Sequence, residues 1–158
     1  MTALQMLTLS LTSPEATCRF ATRLGARLMA GDVVLLDGDI GAGKTHFSRC
    51  LIQSRLPRPE DVPSPTFTLV QTYETGEAEI WHADLYRLGD VSEVEELGLT
   101  EAFGAAICLI EWPDRLGPLT PGDALHLTFA PGPDDSARTL TLSWSDPRWN
   151  DLPGALAA

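Results

Sequence analysis

The chain has 158 residues, 44% of them hydrophobic, and a formal net charge of −11. A chain of this length forms one core and buries roughly 68–70% of the surface its unfolded form exposes. Its acidic surface repels a phosphate backbone or an anionic membrane, so a partner is expected to hold any RNA. The start, MTALQMLTLSLTS, lacks a charged leader region, and no apolar run nears the ~18 residues of a membrane span. The expectation is a soluble cytoplasmic protein. Cys18, Cys50 and Cys108 are odd in number, far apart and in no CxxC arrangement, which reads as buried free thiols.

Taken in chain order, LQMLTLSL (4–11) alternates like a half-buried strand. Ser13 and Pro14 give a cap and first-turn signal for a helix that Phe20, Leu24 and Leu28 continue toward Gly31. VVLLDG (33–38) reads as a buried parallel strand, and KTHFSRCLIQSRL (44–56) as a helix that Pro57 ends. FTLVQTYET and EAEIWHADLY form a hairpin around Thr75-Gly76. Ser92 with Glu95 suggests a capping box for a helix through Leu99 to Phe103. ICLIEW (107–112) is another buried strand, and ALHLTFA (124–130) with ARTLTLSW (137–144) make a second hairpin. One domain is expected over residues 1–150, with the tail 151–158 frayed.

Residues 38–45, GDIGAGKT, fit G-x-x-x-x-G-K-[ST] and lie between a buried strand and an amphipathic helix, the context a phosphate-binding P-loop requires. The expected cradle is Gly38, Asp39, Ile40, Gly41, Ala42, Gly43, Lys44 and Thr45. Backbone N–H groups of such a loop wrap a phosphate, and the positive end of the next helix adds attraction. Lys44 is the only lysine beside ten arginines. Its compact ammonium suits the crowded space between phosphates better than a planar guanidinium. The alternative is a glycine-rich turn that happens to start a helix at a lysine.

A phosphate site of this kind needs Mg²⁺, and Thr45 is placed to offer a hydroxyl ligand. Glu111 closes the apolar run ICLI at the carboxyl end of its strand, where open α/β sheets bind ligands, and reads as a Walker-B-like carboxylate. The competing reading is a strand end that meets solvent. Asp84, in WHADLYRL, is a second carboxylate, either functional or solvated. A guanine-reading NKxD motif is excluded because the only asparagine is Asn150. Asp114-Arg-Leu-Gly117 spells DxxG but stands behind Trp112-Pro113 instead of closing the strand. After Glu111 only Arg115, Arg138 and Arg148 could serve an arginine-bearing lid.

GDIGAGKT at 38–45, SPTF at 64–67, HADLYR at 82–87 and IEW at 110–112, in this order in a small acidic chain, resemble the TsaE (YjeE) family over roughly residues 5–145. That resemblance implies the ATPase component of the bacterial machinery that makes threonylcarbamoyladenosine in tRNA, next to the anticodon, working with TsaD and TsaB. It implies ATP and Mg²⁺ as cofactors, with Lys44 and Thr45 on phosphate and metal and Glu111 in the metal shell. Thr66 would sit in a switch-like loop sensing the γ-phosphate. Asp84 would lie near the metal or the attacking water, with Tyr86 and Arg87 in the same segment. The catalytic set is then Lys44, Thr66, Asp84 and Glu111, and Trp112 borders the nucleotide.

Plainer readings compete: SPTF as a turn entering a strand, His82 as a satisfied histidine beside a strand, Trp81 and Trp112 as core packing. Residues 74–101 hold nine acidic side chains against Arg87 alone, a solvated face or a surface that steers docking onto a basic partner. The expected fold is a three-layer α/β P-loop fold with a central, mostly parallel sheet and antiparallel additions. The expected function is Mg-dependent ATP hydrolysis as a switch on the TsaB–TsaD complex. The alternatives are a small-molecule phosphotransferase and an ATP-binding module without turnover.

Overall fold

The computed structural model describes residues 3–39 and 41–156. Seven strands form one sheet in the order β1-β7-β6-β2-β5-β4-β3. They are β1 (Gln5–Leu11), β2 (Val33–Asp37), β3 (Val70–Glu74), β4 (Glu79–Asp84), β5 (Ile107–Glu111), β6 (Leu125–Pro131) and β7 (Arg138–Trp144). Strands β6, β2, β5 and β4 run parallel to one another in the middle. β7 and β1 add antiparallel on one side and β3 on the other.

The central strands are apolar almost throughout because both faces are covered. On one face lie α1 (Pro14–Gly25) and α2 (Lys44–Arg55), whose Phe20, Leu24, Phe47 and Leu51 pack on Val34, Leu36, Leu109 and Leu127. On the other, Val33, Leu35, Cys108 and Ile110 meet Val94 of α3 (Ser92–Glu96), Leu99 of α4 (Leu99–Ala102), and Leu116. Helix, sheet and helix therefore make the three layers. The Ser13 hydroxyl accepts from the Ala16 amide (3.0 Å) and caps α1 as its sequence suggests.

Four expectations need correction. Cys18 on α1 and Cys50 on α2 are joined in a disulfide, their Cα atoms 5.2 Å apart, because the packed helices bring two distant positions face to face; Cys108 alone is free and buried. The helix expected from Ser92 to Phe103 is broken by Gly98, whose φ of +83° no helix interior adopts. Ser92 is its first residue, not its cap: the Asp90 side chain accepts from the Ser92 amide (3.3 Å). The tail is packed over its described residues, since Leu152–Leu156 form α5 with Leu152 and Leu156 buried. Among the described residues no helix is long and apolar enough to cross a membrane.

Candidate functional site

The parallel register places the site. Leu36 of β2 pairs with Glu111 of β5, and Glu111 pairs with Asp84 of β4, so both carboxylates stand on one rung at the carboxyl ends of adjacent strands. Paired residues share a face, here the face covered by α2. The loop from β2 into α2 passes above them. Gly38, Gly41 and Gly43 all have positive φ. At Gly38 a Cβ would come within 2.8 Å of the Phe129 carbonyl oxygen, so only glycine lets the loop leave β2 this close to β6.

α2 begins after Gly43 with no side-chain cap, and the Phe47 amide closes its first bond back to the Gly43 carbonyl (2.9 Å). The amides of Thr45 and His46 therefore lie open at the positive end of the helix, a geometry that attracts anions. Lys44 is buried (4% exposed). Its ammonium donates to the Gly38 carbonyl (2.6 Å) and lies 3.6 Å above the Trp112 ring centre. Burial pushes the Lys44 ammonium below the ordinary lysine range, and the carboxylates of Glu111, Asp84, Asp37 and Asp39 oppose that push. Asp37 at the end of β2 is pushed up, first by burial and then by Asp114.

Thr45 donates its hydroxyl to Glu111 (3.1 Å to Oε1, 3.3 Å to Oε2). Thr66 donates to Asp84 Oδ2 (3.3 Å) and shares a hydrogen bond with the Ser64 hydroxyl (2.7 Å), while Asp84 Oδ1 accepts from the Tyr86 amide (3.0 Å). Glu111 and Asp84 are 2% and 6% exposed, so neither is a carboxylate at a solvated strand end. Trp112 stands half-buried against Tyr86, ring centres 4.8 Å apart, in a left-handed backbone conformation (φ +59°). Leu69, whose carbonyl accepts from the Asp84 amide, is the other non-glycine residue with positive φ among the described residues.

A cavity of about 550 Å³ collects Gly41, Gly43, Lys44, Thr45, Thr66, Asp84, Glu111 and Trp112. Ala42 lies beneath it, its carbonyl held by Arg138. Asp39 lines a neighbouring groove with Asp134 and Asp135. Ile40 falls outside the described residues. Arg87 is turned from the cavity and stacks over Phe67 (5.0 Å). The cavity also includes Pro14, Thr17, His46 and Ser136, which the sequence does not single out for the site, and Arg138, which it offers only as a lid arginine. They come from the start of α1, the first turn of α2 and the β6–β7 connection, and no motif links them. The histidine expected to be satisfied beside a strand is only half so: His82 Nε2 reaches Glu111 Oε2 (2.6 Å), and Nδ1 has no partner among the described residues.

Such a site can hold an anion at the start of α2 with a lysine against it, and a hard cation between hydroxyl and carboxylate oxygens. Among the described residues no three His, Cys, Asp or Glu side chains converge as a metal cage. Mg²⁺ asks for less, one or two protein ligands beside phosphate and water.

Residues 11–140 match the family model described as threonylcarbamoyl adenosine biosynthesis protein TsaE. Proteins named tRNA threonylcarbamoyladenosine biosynthesis protein TsaE are similar to the chain. The one from Rickettsia bellii is 41% identical over 125 residues, 79% of this chain and 87% of its own. The one from Bacillus subtilis is 37% identical over 132 residues, 83% and 81% of the two chains. The crystal structure of Bacillus subtilis YdiB superposes with a TM-score of 0.81 at 29% identity, covering 99% of this chain and 97% of that one. The chain belongs to the TsaE family.

Proposed function

We propose that the protein is a Mg²⁺-dependent ATPase that supports threonylcarbamoyladenosine formation in tRNA, weak alone and acting as a switch on a TsaB–TsaD complex. The observation that carries this reading is the meeting of two elements in one cavity. The start of α2 brings Lys44 and Thr45, and the neighbouring strand ends bring Glu111 and Asp84, with Thr66 hydrogen-bonded to the latter. Membership of the TsaE family supplies the tRNA pathway.

In this reading the open amides of the P-loop and the Lys44 ammonium bind the β- and γ-phosphates of ATP. Lys44 gives up its contacts with Gly38 and Trp112 for charge-assisted ones. Thr45 and Glu111 would hold Mg²⁺, which would neutralise charge on the phosphate oxygens. Asp84 orients the attacking water. Thr66 senses the γ-phosphate, since engaging it costs the Thr66–Asp84 contact and shifts the Ser64–Phe67 loop with Tyr86 and Arg87. TsaB and TsaD read that segment, and tRNA is reached only through them.

Slow turnover in isolation follows from the arginines. Arg138 lines the cavity, but its guanidinium is already bonded to the carbonyls of Gly41, Ala42, Asp135 and Ala137. A partner-supplied arginine is worth roughly 10³–10⁵ in rate in related chemistry. Phosphate release measured at equal ATP saturation should be slow alone and rise with TsaB and TsaD. Fast turnover indifferent to both would sink the switch and favour a phosphotransferase.

A further inference from the structure

Glu111 is held from two sides: Thr45 donates to it from above and His82 from below. His82 is fully buried, one rung deeper than Asp84 on the same face of β4, paired in register with Leu109 of β5. From there its Nε2 reaches diagonally to Glu111 Oε2 at 2.6 Å. The opposite nitrogen, Nδ1, is buried with no partner among the described residues.

We propose that His82 is a positioning residue that fixes the Glu111 carboxylate in the orientation a divalent cation needs, an inference that rests on the metal reading given above. A side chain kept only for packing among apolar neighbours such as Leu109 would be aliphatic, because an orphaned buried nitrogen costs free energy and returns nothing. The imidazole is retained for its other nitrogen. An ionised carboxylate only accepts, so Nε2 carries the hydrogen and donates it.

The last torsion of a glutamate is broad, and a lone carboxylate samples many settings. With Oε2 held by His82, that rotation stops and the carboxylate edge stays against Thr45 Oγ1, 3.1 Å from Oε1 and 3.3 Å from Oε2. The Thr45 hydroxyl points its hydrogen at Glu111, which leaves its lone pairs for a cation. His82 thus orders both oxygen donors, one directly and one through the other, without touching phosphate or metal. Buried as it is, His82 keeps this contact where a surface donor would be exchanged for water.

The test separates metal affinity from nucleotide affinity. Mn²⁺ binding in the presence of ADP is followed by the paramagnetic resonance of free Mn²⁺, and ADP binding is measured separately in EDTA. His82→Leu should weaken Mn²⁺ about 10–100-fold, the usual loss when a group behind a metal ligand is removed, with ADP affinity in EDTA unchanged. His82→Gln, whose amide nitrogen lies near the place of Nε2, should stay close to the parent protein. His82→Asn is too short and should lose as Leu does. Should the Leu variant not fold, the Gln and Asn variants carry the comparison, and equal Mn²⁺ affinity in those two overturns the proposal. Unchanged Mn²⁺ affinity in His82→Leu overturns it too, as does an equal loss of Mn²⁺ and metal-free ADP binding, which marks a packing role. If the parent protein binds Mn²⁺ no better with ADP than without, the metal reading of the site itself fails and takes this inference with it.

Discussion

Arg138 donates from Nε to the carbonyl oxygen of Ala42 at 2.8 Å, across 96 positions of sequence. The same guanidinium reaches the Gly41 carbonyl (3.2 Å) and, within its own hairpin, the carbonyls of Asp135 and Ala137. One side chain at the start of β7, itself on the cavity wall, therefore ties down two carbonyls of the loop between β2 and α2.

Arg138→Ala should weaken ADP binding roughly tenfold or more and lower the melting temperature, because hydrogen bonds to a charged group are worth about 1.5–3 kcal/mol. Arg138→Lys should recover only part, since one ammonium cannot span these carbonyls as a fork does. Calorimetric ADP binding with a thermal melt decides it. A variant unchanged in both would show that the loop holds its shape unaided.

Lys44→Ala should weaken nucleotide binding ten- to over a hundredfold, through loss of a charge-assisted contact of about 1.5–3 kcal/mol. An acyl-phosphate derivative of ATP should label Lys44 and, apart from the N-terminal amine, nothing else. Equal ADP affinity in parent and variant would refute the P-loop reading.

Glu111→Ala and Asp84→Ala should slow phosphate release far more than they weaken ATP binding, because both carboxylates are assigned to the metal and the water. The two should differ: losing Glu111 also orphans the His82 Nε2 hydrogen and costs stability, whereas losing Asp84 frees Thr66. Single-turnover phosphate release beside equilibrium binding tests this. Full hydrolysis in Asp84→Ala would remove it from the reacting centre.

Thiol titration tests the disulfide. The native, unreduced protein at pH 8 should show no reactive thiol, since Cys108 is buried and burial pushes its thiol up to about 12; at that value roughly one molecule in ten thousand carries a thiolate. Unfolding without reductant should reveal one thiol, and with reductant three. Reduction should also cost about 3.7 kcal/mol, the chain-entropy expectation for a cross-link 32 residues apart. Two fast-reacting thiols in the native protein would contradict the bridge.

What the sequence makes legible follows from how local each signal is. The strand–loop–helix from β2 into α2 can be read because its glycines, lysine and threonine are contiguous and their strand and helix flank them. Glu111 can be read because it ends an apolar run. Thr66 and Asp84 are weak alone and gain meaning only as part of a motif set. Arg138 can be named as an arginine after Glu111, but its hold on the loop cannot be read, since what matters is which carbonyls lie opposite it after two strands and a loop have folded back. The same holds for the Cys18–Cys50 pairing, which depends on how α1 sits on α2, and for His82, whose partner is 29 positions away. Gly98 carries the signal that parts α3 from α4, since only glycine takes its left-handed φ at no cost.

The rung shared by Asp84 and Glu111 sorts insertions and deletions by where they fall. The turn from Thr75 to Ala78 lies past the last paired residues, Glu74 and Glu79, and closes on its own hydrogen bonds. It can lengthen without the site noticing. Between Ile80 and Asp84 the tolerance is zero, because a one-residue slip of β4 against β5 turns every side chain to the opposite face. Trp81, Ala83 and Leu85 would then look toward α2, the aspartate would leave the cavity, and the histidine would leave Glu111.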